Sequence, residues 1–130
     1  MADSNGPKRN PASEAYARVE LDALVLGSKG PQLVRLCLDE ALKSIGQALA
    51  AQNAERFAIR SRALSRAVLA ISALRAGVDE ASPMAPMLLE FYGAAADAVT
   101  SAILRFKPEP LRALRADLAE VRDQLVAAKI

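Results

Sequence analysis

The sequence predicts an all-α fold, an antiparallel four-helix bundle with a short N-terminal helix or arm, and three observations carry that prediction. Hydrophobic residues make up 52% of the 130 residues while aromatics make up only 4%, with no tryptophan, so the core must be built from Leu, Ala, Val and Ile. Apolar residues then recur at three- and four-residue spacings over four long segments. Finally, the breaks between those segments are short and carry Gly, Pro, Ser or Asn, as connections between antiparallel neighbours do.

Residues 1–13 are rich in Ser, Asn, Gly and Pro with no period, the composition of a flexible tail, and residues 14–130 are expected to form a single helical-bundle domain. The stretch that follows the tail carries Tyr16, Val19, Leu21, Leu24, Val25 and Leu26 in an imperfectly amphipathic pattern ending at Gly27–Gly30. It reads as a short helix or extended arm, loosely attached.

From Pro31, suited to a first helical position, Leu33, Val34, Cys37, Leu38, Ala41, Ile45, Ala48 and Leu49 define a helix of roughly 20 residues. Asn53 is placed to cap the next helix, whose stripe holds Phe57, Leu64, Val68 and Ile71 beside Ala63, Ala67, Ala70 and Leu74, with Gly77 at its end. Ser82 and Pro83 open a third helix predicted to run from about Met84 to Phe106. After the break at residues 107–110, Leu111, Leu114, Leu118, Val121 and Leu125 form a seam of about two heptads, short of the run that would specify a coiled coil.

Composition also removes chemistries. The chain has no histidine and one cysteine, Cys37, which excludes Cys/His zinc sites, Ser-His-Asp triads, Cys-His dyads and an intramolecular disulfide. Cys37 lies in an apolar run and reads as a small buried hydrophobe. Asp39, Glu40, Glu90 and Asp97 are the carboxylates that a bundle metal site would use, but such sites pair Glu with His. No catalytic activity, cofactor or metal is therefore expected. Seventeen basic against fifteen acidic residues leave +2, too near balance to imply nucleic acid. Arg56, Arg60, Arg62, Arg66 and Arg75 are spread around their helix and read as a solvated face. No segment reaches roughly 18 to 20 uninterrupted apolar residues, so membrane insertion is not expected, and with no signal-peptide core the reading is cytoplasmic.

The stretch EFYGAAADAVTSAI, residues 90–103, puts two aromatics and Gly93 in front of a run of alanines inside a helix. Small residues let something approach closely: either another helix of the bundle, or a partner helix received in a shallow groove.

The order of these pieces is similar to the flagellar export chaperones of the FliS family. Ala15 and Tyr16 stand for the family's early Ala-Tyr, and Val25 to Gly30 for its Val-x-Thr-Ala-Ser-Pro turn. Leu38, Asp39, Glu40 and Ala41 stand for part of its Leu-Tyr-Asp-Gly-Ala helix, and Phe91, Tyr92, Gly93 and Ala94 for the aromatic motif of its later helix. The family's tyrosine is replaced by Leu38 in the first of these helices, and its second tyrosine by Ala94 in the other.

The resemblance covers residues 15–126 and implies a cytoplasmic chaperone. Such a protein would bind the disordered C-terminal segment of flagellin, prevent its premature polymerisation and assist its export, with export-apparatus components as further partners. The surface expected to receive flagellin comprises Tyr16, Leu21, Val25, Leu33, Leu38, Ile45, Phe91, Tyr92, Ala95 and Val99. The arm either covers this groove in the free protein or is a permanent part of the core. Other readings are a helical adaptor or chaperone for a different secretion protein, and a homodimerising structural bundle.

Overall fold

The computed structural model describes residues 30–127 of the chain. The tail expected at residues 1–13 and the arm with Tyr16, Leu21, Leu24 and Val25 lie outside the described residues. Four helices follow in order, α1 (Pro31–Asn53), α2 (Phe57–Ala76), α3 (Ala85–Leu104) and α4 (Pro108–Ala127). Around the bundle α1 packs on α2 and α4, and α3 packs on α2 and α4, the α1–α2 contact being the most extensive and α3–α4 the least.

α1 begins where Gly30 leaves an extended backbone and Pro31, at the start of the helix, needs no N–H partner. It is longer than expected, at 23 residues, because Asn53 ends it and does not cap its successor. The N-cap of α2 is Arg56, which makes no side-chain capping bond. Between them the chain turns in three residues. The Arg56 N–H donates to the Ala51 carbonyl (2.8 Å) and the Glu55 N–H to that of Gln52 (3.1 Å), the paired bonds of a Schellman motif. Glu55 holds the left-handed position with φ 58°, which glycine adopts without strain and a side chain does not. Glu55→Gly is therefore expected to raise stability by about 0.5–1 kcal/mol, read as an increased denaturation midpoint at unchanged slope.

Gly77 ends α2 as expected, its N–H donating to the carbonyls of Ala73 (3.0 Å) and Leu74 (3.2 Å). Its φ of −83° is open to any residue, so this turn does not depend on glycine's left-handed freedom. Ser82 fixes the entry to α3 one residue later than predicted: its hydroxyl accepts the Met84 N–H (3.1 Å) and its carbonyl the Ala85 N–H (3.0 Å). α3 stops at Leu104, leaving Phe106 in the last connection, and Pro108 opens α4.

The core follows the apolar stripes. Val34, Leu38, Ala41, Ile45 and Ala48 from α1 meet Leu64, Ala67, Ile71 and Leu74 from α2. Leu88, Phe91, Tyr92, Ala95 and Val99 from α3 and Leu111, Leu114, Leu118 and Val121 from α4 complete it; the side chain of Leu125 lies outside the described residues. Each leucine enclosed this way contributes about 1.5–3 kcal/mol. Leu42 and Ala51 join the core beyond the predicted stripe. So does Ser44, whose hydroxyl donates to the Glu40 carboxylate at 3.1 Å and so is not buried unpaired. Of the predicted stripe members, Cys37, Leu49 and Val68 are half-buried at the core's edge, while Leu33 is 55% exposed and Phe57 50% exposed. The latter two sit in the first turn of their helix, where the stripe has passed the neighbouring helix's end.

α4 is tied to α1 by polar contacts as well. The Arg115 Nε–H donates to the Leu42 carbonyl at 3.2 Å, and a Cβ at Gly46 would come within 3.2 Å of that nitrogen. Gly46 therefore leaves room for the guanidinium to lie across α1. Further along, Arg122 pairs with Asp39 at 3.0 Å, a solvated bridge worth little on its own.

Candidate partner-binding surface

Most of the residues expected to receive a partner are in the interior. Leu38, Ile45, Phe91, Ala95 and Val99 are completely enclosed and Tyr92 is 1% exposed. In this structure they form the core of the bundle and do not line an open groove. The reason is volume. In a chain with so few aromatics, Phe91 and Tyr92 are the largest pieces available to fill the centre, and their rings pack against each other at 5.5 Å with a 47° tilt.

The small-residue run divides by helical geometry. Ala95 points into the core, Ala94, Ala96 and Ala98 are half-buried, and Asp97 is exposed. A Cβ placed on Gly93 would meet no described atom within 4 Å. Close helix approach thus explains Ala95 but not Gly93, and Gly93→Ala is expected to stabilise the free protein by about 0.5–1 kcal/mol, measurable by urea denaturation.

Exposed aliphatic side chains stand elsewhere. On α1, Leu33 is joined one turn later by Leu36, 66% exposed, and on α2 Leu69 is 69% exposed. Between the two helices lies a depression of about 30 Å³ lined by Gly30, Leu33, Val34, Cys37, Ala73, Leu74 and Gly77. Leu69 precedes Ala73 by one turn on the same face of α2. Cys37 is half-buried here, and desolvation pushes its thiol pKa up, which keeps it protonated and poorly nucleophilic. Leu36 and Leu69 fall outside the helical stripes. A leucine on an otherwise polar face was the signal available in the sequence.

Three of the polar side chains singled out in the sequence are held by hydrogen bonds to their neighbours in the fold. Asp39 accepts from Arg122, Glu40 from Ser44, and Arg66 donates to the Gln47 side-chain oxygen at 2.6 Å. A polar groove of about 310 Å³ between α1 and α4 is lined by Asp39, Leu42, Lys43, Arg115, Ala119 and Arg122. Among the described residues, no three Cys, Asp or Glu side chains gather as metal ligands. By length and composition α3 is apolar enough to cross a membrane, with a mean hydropathy of 1.3. The helix is interrupted along its apolar run by the charges of Glu90 and Asp97. Its Leu88, Phe91, Tyr92, Ala95, Val99 and Ala102 are buried on one face, with Glu90 and Asp97 exposed, the arrangement of a bundle helix.

The core is complete without Leu33, Leu36 and Leu69, and the molecule is an all-α four-helix bundle that carries these leucines on its surface. Residues 12–129 match the family described as flagellar protein FliS, and the chain belongs to that family, whose role is that of a flagellar export chaperone. Comparison with curated proteins returns no match.

Proposed function

We propose that this protein is a cytoplasmic export chaperone that binds the disordered C-terminal segment of flagellin, prevents its premature polymerisation and assists its secretion. Family membership supports the class. The observation that carries the reading is the exposure of Leu33 at the α1–α2 depression, with Leu36 and Leu69 exposed on the same two helices, on a bundle whose core does not need them. A disordered segment that folds on binding loses roughly 2–5 kcal/mol to ordering and buries on the order of 1,000–3,000 Å², so its contact must be long and apolar. Leucines spaced along two adjacent helices supply such a track, and an amphipathic segment can lay its own apolar stripe on it. Of the predicted partner residues, Leu33 belongs to this track; Tyr16, Leu21 and Val25 lie outside the described residues.

Calorimetric titration with the flagellin C-terminal segment, paired with circular dichroism of the mixture, tests the proposal. One-to-one binding with a gain in helix is expected. A folded protein that leaves the segment unbound and disordered would reassign the surface to another export substrate.

A further inference from the structure

The end of the bundle where α1 and α3 finish and α2 and α4 begin carries a second, chemically different surface. Its centre is Arg60. The guanidinium lies between two rings, 4.9 Å from the centroid of Phe57 on α2 and 4.9 Å from that of Phe106 in the α3–α4 connection. One of its terminal nitrogens donates to the side-chain oxygen of Gln52 at the end of α1. Its Nε is buried with no hydrogen-bond partner among the described residues. A cation held between two aromatic faces and partly out of water is attracted by both ring quadrupoles, so this cluster joins three segments.

Beside the cluster the surface is apolar and cationic together. Phe57 is half exposed, and Leu104, at 85%, is the most exposed large hydrophobic side chain among the described residues. Arg56 precedes Phe57 and Arg105 and Lys107 follow Leu104 in the chain, all exposed and without an ion pair among the described residues. The carboxylates at this end are Glu55 and Glu109, and Glu109 is already held by Arg112 at 3.2 Å. Aromatic rings and arginine beside a protruding leucine are the side chains that dominate protein interfaces.

We propose that this end of the bundle is a docking surface for an acidic amphipathic segment of a second protein, distinct from the leucine track on α1 and α2. Charge selects the occupant. A second copy of the chain, meeting this end by a two-fold axis, would set Arg56, Arg105 and Lys107 against themselves, an arrangement that repels. An acidic segment pairs with those cations while its apolar stripe covers Leu104 and Phe57. The surface reading goes beyond the flagellin-binding proposal and stands whether or not that proposal does.

The test uses the full-length chain and a synthetic amphipathic peptide of about 18 residues, leucine on one face and glutamate on the other, with its lysine counterpart as control. Fluorescence anisotropy is expected to show binding of the glutamate peptide only, weakening as salt rises. Leu104→Ser and, separately, Arg105→Glu with Lys107→Glu are expected to weaken it by roughly tenfold each, with circular dichroism unchanged. The same variants should leave the flagellin titration as it was. Equal binding of both peptides, no binding of either, or indifference to these substitutions would overturn the proposal. A dimer seen by light scattering and abolished by Leu104→Ser would do so too, in favour of self-association.

Discussion

Phe91→Ala is expected to destabilise the bundle by about 3–5 kcal/mol, a large part of the roughly 5–15 kcal/mol that holds a domain together. The ring is completely enclosed, packs against Tyr92, and sits at the centre of a core otherwise made of aliphatic side chains. Ala94 and Ala95 on the following turn are too short to collapse into the space, so much of the cavity persists.

Tyr92→Phe is expected to behave in the opposite way. The Tyr92 hydroxyl is buried with no hydrogen-bond partner among the described residues, so removing it deletes an unpaired polar atom and should leave stability unchanged or raise it by about 1–2 kcal/mol. Burial, with a smaller contribution from nearby Cys37, raises the Tyr92 pKa well above the usual tyrosine range. The sign follows from that direction. The unfolded chain ionises this group first, near its ordinary value of about 10, so the contribution of Tyr92 is intact below that pH and is lost as pH rises further. Denaturation midpoints followed into the alkaline range should fall less steeply in Tyr92→Phe than in the parent. If Phe91→Ala cost less than about 1 kcal/mol, the aromatic pair would not be core, and the expected surface role for it would return.

That pair also shows where sequence reading stops. The stripes on the four helices were legible because period and burial coincide: Leu38, Ile45, Leu64, Ile71, Leu111, Leu114 and Leu118 are all enclosed. Pro31 marked a real start because it acts through its own backbone, and Gly77 stands at the end of α2 although its φ is open to any residue. Asn53 misled because capping depends on where the preceding helix stops, and a left-handed Glu55 let α1 run on through it. The site was less legible for a related reason. Periodicity says which residues share a face but not which face is left without a neighbour. Phe91, Tyr92, Ala95 and Val99 looked like a groove and proved to be filling. Leu36 and Leu69, which belong to no stripe, are at the surface, as are Leu33 and Phe57 from the stripes. Arg60 was read as solvated, since its two ring partners are a turn away and 46 residues away in the chain, and only the fold brings Phe106 to it.

Replacing Leu33 and Leu36 together by aspartate is expected to weaken flagellin-segment binding by at least about 2 kcal/mol, roughly thirtyfold, while the protein stays folded. Both side chains are more than half exposed, so neither contributes much to the core. The fold is further protected by position. α1 carries no acidic residue in its first turn, and Leu33 lies in that turn, where a carboxylate interacts favourably with the unpaired N–H groups at the helix start. Leu33→Asp should thus be neutral or slightly stabilising, and a loss of affinity cannot be blamed on unfolding. The paired substitution to glutamine separates apolar contact from charge. If burial of leucine drives the association, both double variants lose affinity and the heat-capacity change on binding shrinks with them. If only the aspartates weaken it, the segment is being repelled rather than released from an apolar track. Unchanged affinity in both would move the flagellin site off α1, leaving Leu69 and the far side of the α1–α2 depression as the surface to vary next.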